Sequence, residues 1–448
     1  DRRQRQMCIR DSLVASKAMT SEEQRQIKNG FLRPCAELLM GSRDKGNWQV
    51  WHNGGIMALG VALKSDSIID VALKKPVLGY YDMQKYHVYD DGWWNEGSVV
   101  YHFYPLRAIL LSAEAVRCRN IDLYDPKVVN MFLSPVQLLY SDLMFPSQND
   151  GWYGTTLFEQ TGLYEIVALR TGNRQMTDIL AACYKKIERK SPEALINGMD
   201  LKSHDGRVSL DSHLFPDLGV GVLRFQDKTV VLKNGPSGGL HGHPDKLSIS
   251  IHDGRKEILP DLGTTAYGVP DCYAWYQKTI SHNTVTVDRK NQNAVGEKIS
   301  LFEPTFNGGK IEASSENAYP GVKMCRSLSL DGLNLTDRFT CESEEEHVYD
   351  YTLILRDSVA LPAARCDTLP EYERISNVSK GCGDGSCFFE LRDGTKLILN
   401  LSVPYELYTG VAPGIPPKGL TPGEDVYPLI VRVKGKKLDI EVIWKLVE

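Results

Sequence analysis

Gly238-Gly239-Leu240-His241-Gly242-His243-Pro244-Asp245-Lys246 decides the reading of this chain, taken with Asp261 and with Ser281-His282-Asn283-Thr284. His243 follows His241 by two residues, Asp261 lies 18 residues beyond His243, and His282 a further 21. Neutral imidazoles with a carboxylate suit a borderline-soft divalent ion such as zinc, and one histidine is left over for chemistry. His243, Asp261 and His282 are therefore the metal candidates. The plain alternative is a buried polar network tying three strands together. His241, behind a flexible Gly-Gly pair, reads as a base or as a contact to a substrate carboxylate, because imidazole exchanges protons near neutral pH. Its plain alternative is a structural histidine behind the metal ligands.

Around this stretch the hydrophobic period is two. Val220–Phe225, Lys228–Lys233, Leu247–Ile251, Thr284–Val287 and Leu328–Leu335 alternate or run β-branched, with Gly, Asp and Asn turns between them. So many short strands predict an antiparallel β-sandwich over 204–448. At its end, Leu429–Val433 and Leu438–Trp444 are expected to form a hairpin turning at Lys434-Gly435-Lys436-Lys437.

Upstream the pattern is helical. Thr20-Ser21-Glu22-Glu23 fits a capping box. Trp48, Trp51, Gly55, Ala58 and Ala62 recur at helical spacing, giving one apolar face small enough for close packing. Further helices are expected through 97–118, 126–142, 156–172 and 175–190. Asp91-Gly92-Trp93 and Asp150-Gly151-Trp152, 59 residues apart, suggest one antiparallel helix pair per repeat, as in an α/α toroid. The chain thus reads as an α+β multidomain protein: an incomplete (α/α) toroid over 13–203, then the sandwich.

Composition narrows the function. With 448 residues, 42% hydrophobic and 24% charged, the chain has the profile of a soluble multidomain protein. No apolar run nears the roughly 20 residues that span a bilayer. A net charge of −5 lacks the basic footprint of a nucleic-acid binder. Ten cysteines without a CxxC pair read mostly as buried thiols, although Cys382 and Cys387 could bridge in an oxidising compartment. The opening Arg2-Arg3-Gln4-Arg5-Gln6-Met7 resembles a translated sequencing adaptor. The expectation is that the true start is missing with any signal peptide, and that the protein is secreted or periplasmic.

Two helical stretches are rich in aromatic and amide side chains, as sugar rings require: Trp51-His52-Asn53-Gly54 and Asp90–Tyr104. Trp and Tyr on helices are equally at home in a core.

Together, HGHPDKLSI…LPDLGTTAYG…WYQKTISHNTV, NWQVWHNGG and DDGWWNEGSVVYHFYPL resemble, in order and over residues 40–300, the motifs of heparinase II/III-like polysaccharide lyases. The resemblance implies β-elimination on a polysaccharide carrying uronic acid, the anionic partner of the protein. It implies that Asn53, with His52 beside it, neutralises the uronate carboxylate. Tyr101 would be the general acid protonating the leaving 4-oxygen, and a candidate base as well. His241 would be the second acid/base group. Tyr101 is placed ahead of Tyr104, one turn further on, and a phenol pKa depressed by its neighbours would be the catalytic signature. Trp94, Glu96, Tyr104, Tyr267 and Tyr276 are the substrate-binding candidates. His243, Asp261 and His282 would hold a structural zinc ion. A glycosaminoglycan such as heparan or chondroitin sulfate is favoured slightly over alginate; Arg107, Lys246 and Lys278 are the candidate sulfate contacts. The competing expectations are a glycoside hydrolase using two of Asp91, Glu96, Asp150 and Glu159, and a non-catalytic carbohydrate-binding relative.

Overall fold

The computed structural model describes residues 18–361, 365–418 and 421–448. The adaptor-like opening lies outside them, as does the start of the 13–203 span. The described residues open with ten α-helices: α1 (Ser21–Ile27), α2 (Arg33–Gly41), α3 (Asn47–Leu63), α4 (Asp66–Lys74), α5 (Tyr80–His87), α6 (Val99–Val116), α7 (Pro126–Leu133), α8 (Thr161–Thr171), α9 (Arg174–Tyr184) and α10 (Pro192–Asn197). Their starts follow the local chemistry. Thr20 and Glu23 form the expected reciprocal cap on α1, and the side chains of Asp125, Asn173 and Ser191 accept from backbone amides at the starts of α7, α9 and α10. None of the described helices is long and apolar enough to cross a membrane.

Helix α3 turns out two-sided. Val50, Ile56 and Met57 are buried in the helical core. The Trp48–Trp51–Gly55–Ala58 stripe, expected to pack closely, instead lines an apolar cleft of about 360 Å³ with Tyr104, and Trp48 is 63% exposed.

The β-region begins with five antiparallel strands in the order β1 to β5: β1 (His213–Phe215), β2 (Val220–Phe225), β3 (Lys228–Lys233), β4 (Ser248–His252) and β5 (Glu257–Leu259). This sheet is covered on both faces. Phe215, Val220, Val222 and Val231 join the helical core, whereas Leu223, Val230 and Leu232 pack with Ile311, Leu328 and Leu353 of the second sheet. Alternate residues therefore serve two different cores, which is why these strands read as nearly continuous apolar runs. Fully burying one such side chain contributes about 1.5–3 kcal/mol.

The second sheet contains the other eleven strands. They are β6 (Val285–Val287), β7 (Ile299–Thr305), β8 (Gly308–Tyr319), β9 (Val322–Asp331), β10 (Asn334–Leu355), β11 (Arg365–Cys366), β12 (Ser376–Gly383), β13 (Ser386–Glu390), β14 (Lys396–Leu401), β15 (Tyr405–Ile415) and β16 (Glu424–Lys445). Here one expectation fails. The Lys434–Lys437 segment is not a hairpin turn: β16 runs straight through it, paired with β10 along both strands. A local irregularity falls on β10, between Glu342 and His347, so the partner strand absorbs the bend and Gly435 stays in register with His347. Cys382 and Cys387 are both free thiols. Cys382 is exposed on β12, which pairs with β15, whereas Cys387 is buried on β13, which pairs with β14; strands paired to different neighbours carry the two thiols apart.

The helices and the first sheet are joined by polar bonds as well as packing. Tyr140 donates to Glu257 Oε1 at 2.6 Å, its hydroxyl lies 3.2 Å from Ser250 Oγ, and Arg224 donates to the Gln137 carbonyl at 2.8 Å. Both Asp-Gly-Trp aspartates cross this junction. Asp91 accepts from the amides of Asp217 and Leu218, and Asp150 meets the His241 loop.

Candidate active site

The turn after β3 carries His241 on a single 3-10 turn, Gly239–His241. Gly238 has φ of +71°, and a Cβ there would lie 2.6 Å from the Glu96 carbonyl oxygen. A Cβ on Gly242 would lie 1.1 Å from the Ser237 carbonyl oxygen. Glycine at both ends is thus what allows the loop to fold back against the helices.

His241 then meets the helical half. Its ring stacks on Tyr101 of α6, with centroids 3.5 Å apart and planes at 16°. Its Nδ1 lies 2.9 Å from Asp150 Oδ2, and its Nε2 lies 3.9 Å from Glu96 Oε2. The Tyr101 hydroxyl is 2.8 Å from that of Tyr267, which donates to Asp150 Oδ2 at 2.8 Å. Asp150 Oδ1 accepts from Gln277 Nε2 and from His243 Nε2, both at 3.0 Å. One fully buried carboxylate thus anchors a histidine, a tyrosine and a glutamine around the candidate acid and base.

The electrostatics separate the groups. Burial opposes ionisation of Asp150, but hydrogen bonds from His241 and His243 outweigh it and hold the carboxyl well below the usual range. Tyr101 is pushed up by burial, partly offset by its bond to Tyr267; Tyr267 is pushed up by burial and by its bonds to Tyr101 and Asp150. The depressed phenol expected from the sequence is therefore absent at Tyr101: burial dominates, and both phenols are proton donors at neutral pH. Glu96 is raised by burial, which outweighs the two contacts from Asn47 Nδ2 at 3.1 and 2.9 Å.

Near His241 lies a group of side chains that could hold a metal. Ligand atoms of Asp245, Asp261 and His282 come within 4.8 Å of one another, all buried. His243 stands beside them, its ring centroid 5.2 Å from that of His282. Both ring nitrogens of His282, Nδ1 of His243 and Oδ1 of Asp245 are buried without a hydrogen-bond partner. Buried lone pairs normally find a partner, so these four unmet atoms fit a bound divalent cation. Lys233 Nζ holds the other Asp245 oxygen at 2.5 Å and also reaches Asn149 Oδ1. Burial opposes the ionisation of Asp245, and the Lys233 charge reverses this.

The structure thus gathers Tyr101, His241, Tyr267 and Glu96 in one cluster, and Asp261 and His282 in another. Other candidates fall elsewhere. Asn53 is buried, donating to the Leu78 carbonyl at 2.7 Å and accepting from Gln49 at 2.9 Å. His52 and Tyr104 line the apolar cleft, where Tyr104 meets Trp51 at 5.3 Å. Trp94 is fully buried and stacks on His87, and Tyr276 is buried with its hydroxyl on the Gly414 carbonyl. Sequence reasoning missed Gln277 and Asn47, which carry no motif, and gave Asp245 no ligand role although it lies between His243 and Lys246.

A helical array closes on two antiparallel sheets, and Tyr101 and His241 meet from opposite sides of the junction. Residues 207–396 match the family model of the heparinase II/III-like C-terminal region. The chain is 25% identical over 360 residues to an alginate lyase of Stenotrophomonas maltophilia, covering 70% of this chain and 47% of that protein. It is 26% identical over 361 residues to an exo-oligoalginate lyase of Saccharophagus degradans, covering 70% and 48%. A heparin-sulfate lyase of Pedobacter heparinus is 23% identical over 253 residues, covering 54% and 36%. The chain therefore spans about half the length of the two alginate lyases it matches. Among solved structures, a mutant heparan sulfate lyase of Pedobacter heparinus superposes with a TM-score of 0.68 at 16% identity, covering 92% of this chain and 62% of that one. A mutant chondroitin AC lyase of Streptomyces coelicolor A3 gives 0.55 at 10% identity, covering 99% and 66%.

Proposed function

We propose that this chain cleaves a uronate polymer or oligomer by β-elimination, with Tyr101 and His241 as its proton-transfer pair. The stacking of His241 on Tyr101 carries the reading, because it places a candidate base and a neutral phenol side by side at the junction. An ionised Asp150 only accepts hydrogen bonds, so His241 donates through Nδ1 and keeps Nε2 as the basic nitrogen. Nε2 takes the proton from C5 of the uronate, the C4–O4 bond breaks, and the Tyr101 hydroxyl returns a proton to the departing oxygen. The product is an unsaturated uronate, and no water is consumed. Asn53, with His52 beside it, is the family-like neutraliser of the uronate carboxylate; to act so, Asn53 exchanges its bonds to Leu78 and Gln49. A metal at Asp245, Asp261 and His282 would brace the loop that carries His241.

The substrate reading shifts toward an unsulfated polymer of the alginate kind. Two alginate-cleaving relatives each align with 70% of the chain. Among the described residues, no hydrogen bond or ion pair of Tyr101, His241, Tyr267, Asp150 or Glu96 involves the arginine or lysine that would match a sulfate. Glycoside hydrolysis is disfavoured because Asp150 is filled by four side-chain donors, Asp91 caps backbone amides, and Glu159 pairs with Lys418.

The test is ultraviolet absorbance of unsaturated product from alginate, heparan sulfate, chondroitin sulfate and hyaluronan, with Tyr101→Phe as control. A rise on alginate that the variant abolishes supports the proposal. New reducing ends without absorbance would replace it with hydrolysis.

A further inference from the structure

Strand β10 pairs with β16 on both sides of a register shift between Glu342 and His347, and β16 offers no partner to Ser343, Glu344, Glu345 or Glu346 among the described residues. Bulges of this kind re-aim side chains and are frequent beside active sites. The side chains at this one form a chain of hydrogen bonds. Ser343 Oγ lies 3.1 Å from His347 Nε2, and His347 Nδ1 lies 2.8 Å from Asp288 Oδ2. Those are the residue types, the order and the separations of a serine nucleophile, its base and the carboxylate that orients the base.

Asp288 is brought there by a costly turn. Asp288 and Arg289 have φ of +48° and +61°, between Val287 and Lys290, which bridge each other. Neither is glycine, and the left-handed region costs a residue with a Cβ about 1–2 kcal/mol. The Val348 amide donates to Asp288 Oδ1 at 3.0 Å. Burial opposes ionisation of Asp288, but the bonds from Val348 and His347 outweigh it and hold the carboxyl below its ordinary value. An ionised carboxylate only accepts hydrogen bonds, so His347 donates through Nδ1 and its Nε2 accepts from the Ser343 hydroxyl. The serine proton is thus already directed at a base, while the Glu345 amide holds Ser343 Oγ in place at 3.2 Å.

Ser343 is half-buried and lines an open cleft of about 590 Å³. Two ion pairs in the cleft wall, Lys323 with Glu316 at 3.0 Å and Lys437 with Glu342 at 3.2 Å, cancel each other's charge. Glu344 and Lys436, the other charged residues of the lining, have opposite signs. A wall without net charge suits an uncharged substrate. Among the described residues the Lys436 ammonium has no ion pair or hydrogen bond, which leaves one cation in the lining for a developing oxyanion.

We infer that Ser343, His347 and Asp288 form a second catalytic centre, one that hydrolyses small uncharged acyl esters. Ser343 Oγ attacks the ester carbonyl as its proton passes to His347 Nε2. The ester C–O bond breaks, and the alcohol leaves with that proton. Water then attacks the acyl-serine, giving one proton through His347 back to Ser343 Oγ and releasing the carboxylic acid. The inference does not rest on the lyase reading, which uses none of these three residues.

Two probes test it on the full chain, in the wild type, Ser343→Ala and His347→Gln. One is hydrolysis of p-nitrophenyl acetate. The other is labelling by diisopropyl fluorophosphate, which loses fluoride to an activated serine, with the labelled peptide identified by mass spectrometry. The rate of p-nitrophenol release should fall by about 10²-fold or more in both variants, the lower end of what a positioned base contributes. The label should sit on Ser343 in the wild type and be lost in His347→Gln, which keeps a hydrogen-bonding side chain but no base. Labelling of the wild type depends on no variant folding. Its absence from Ser343 would reduce the cluster to a brace for the strand break and overturn the inference. Equal ester hydrolysis in all three proteins would do the same. A chain labelled at Ser343 that forms no unsaturated uronate would lose the lyase reading and keep this one.

Discussion

His241 Nδ1 lies 2.9 Å from Asp150 Oδ2, and this bond decides which nitrogen of the imidazole is free to act. The same carboxylate takes His243 through Nε2 at 3.0 Å, leaving His243 Nδ1 as a buried, unmet lone pair beside the metal-ligand group. One aspartate thereby sets opposite tautomers on two histidines two residues apart. The proposed proton-transfer histidine and the group that could hold a metal share a support that comes from the helical half.

Asp150→Asn should therefore damage both functions at once. An amide can turn an N–H toward either histidine and release the wrong tautomer. Turnover should fall by about 10²–10⁴ with KM little changed, and metal affinity by about 10–100-fold. Steady-state kinetics with metal analysis of the same sample checks this; near-normal turnover in Asp150→Asn would remove the tautomer argument.

Because burial raises the Tyr101 phenol above its ordinary value, the general acid stays protonated across the whole neutral and mildly alkaline range. The alkaline limb of kcat should then begin no lower than about pH 10, the ordinary tyrosine value. A pH–rate profile on saturating substrate measures it. A limb below about pH 9 that disappears in Tyr267→Phe would show that the phenol pair ionises earlier than its burial implies.

Metal analysis of protein purified without chelator should find about one divalent ion, zinc by the donor set, per chain. Asp261→Ala or His282→Ala should remove it and lower Tm by about 5 °C, the shift that ~2 kcal/mol makes in a domain of this size. A metal-free protein with an unchanged melting curve in both variants would leave these buried groups as a plain polar network.

Glu257 supplies a stability prediction away from the site. Burial pushes its carboxyl up to about 8, with hydrogen bonds from Tyr140 and Tyr153 pulling the other way. The folded state then holds this proton more tightly than the unfolded chain does. Its stabilisation is complete below about pH 4.3, the unfolded value, and is lost as pH rises toward about 8. Glu257→Gln cannot release the proton, so its urea midpoint should fall less than that of the wild type between those limits. Parallel curves for the two proteins would mean that the carboxyl ionises freely.

The sequence by itself determined the division into helices and strands, because each carries its own period. The Thr20–Glu23 cap and the alternation in Val220–Phe225 are local and could be read directly, whereas the buried group of Asp245, Asp261 and His282 includes a carboxylate to which the motifs assigned no ligand role. It also supplied Tyr101, Tyr267, Glu96 and His241 through their motifs. Other features depended on partners distant in the chain. Lys434–Lys437 carries every local mark of a turn, yet β10 offers 22 residues to pair with, and the ladder of hydrogen bonds runs on through it. Asp150 had only an Asp-Gly-Trp signature to mark it, and its role arises from a loop 91 residues away. Asn53 and Trp94 stand in a string of aromatic and amide side chains, and only the structure shows that both are buried. Only tertiary structure brings a carboxylate from one half against two histidines of the other. Which groups are desolvated, and which charges face one another there, settles which atoms give up a proton.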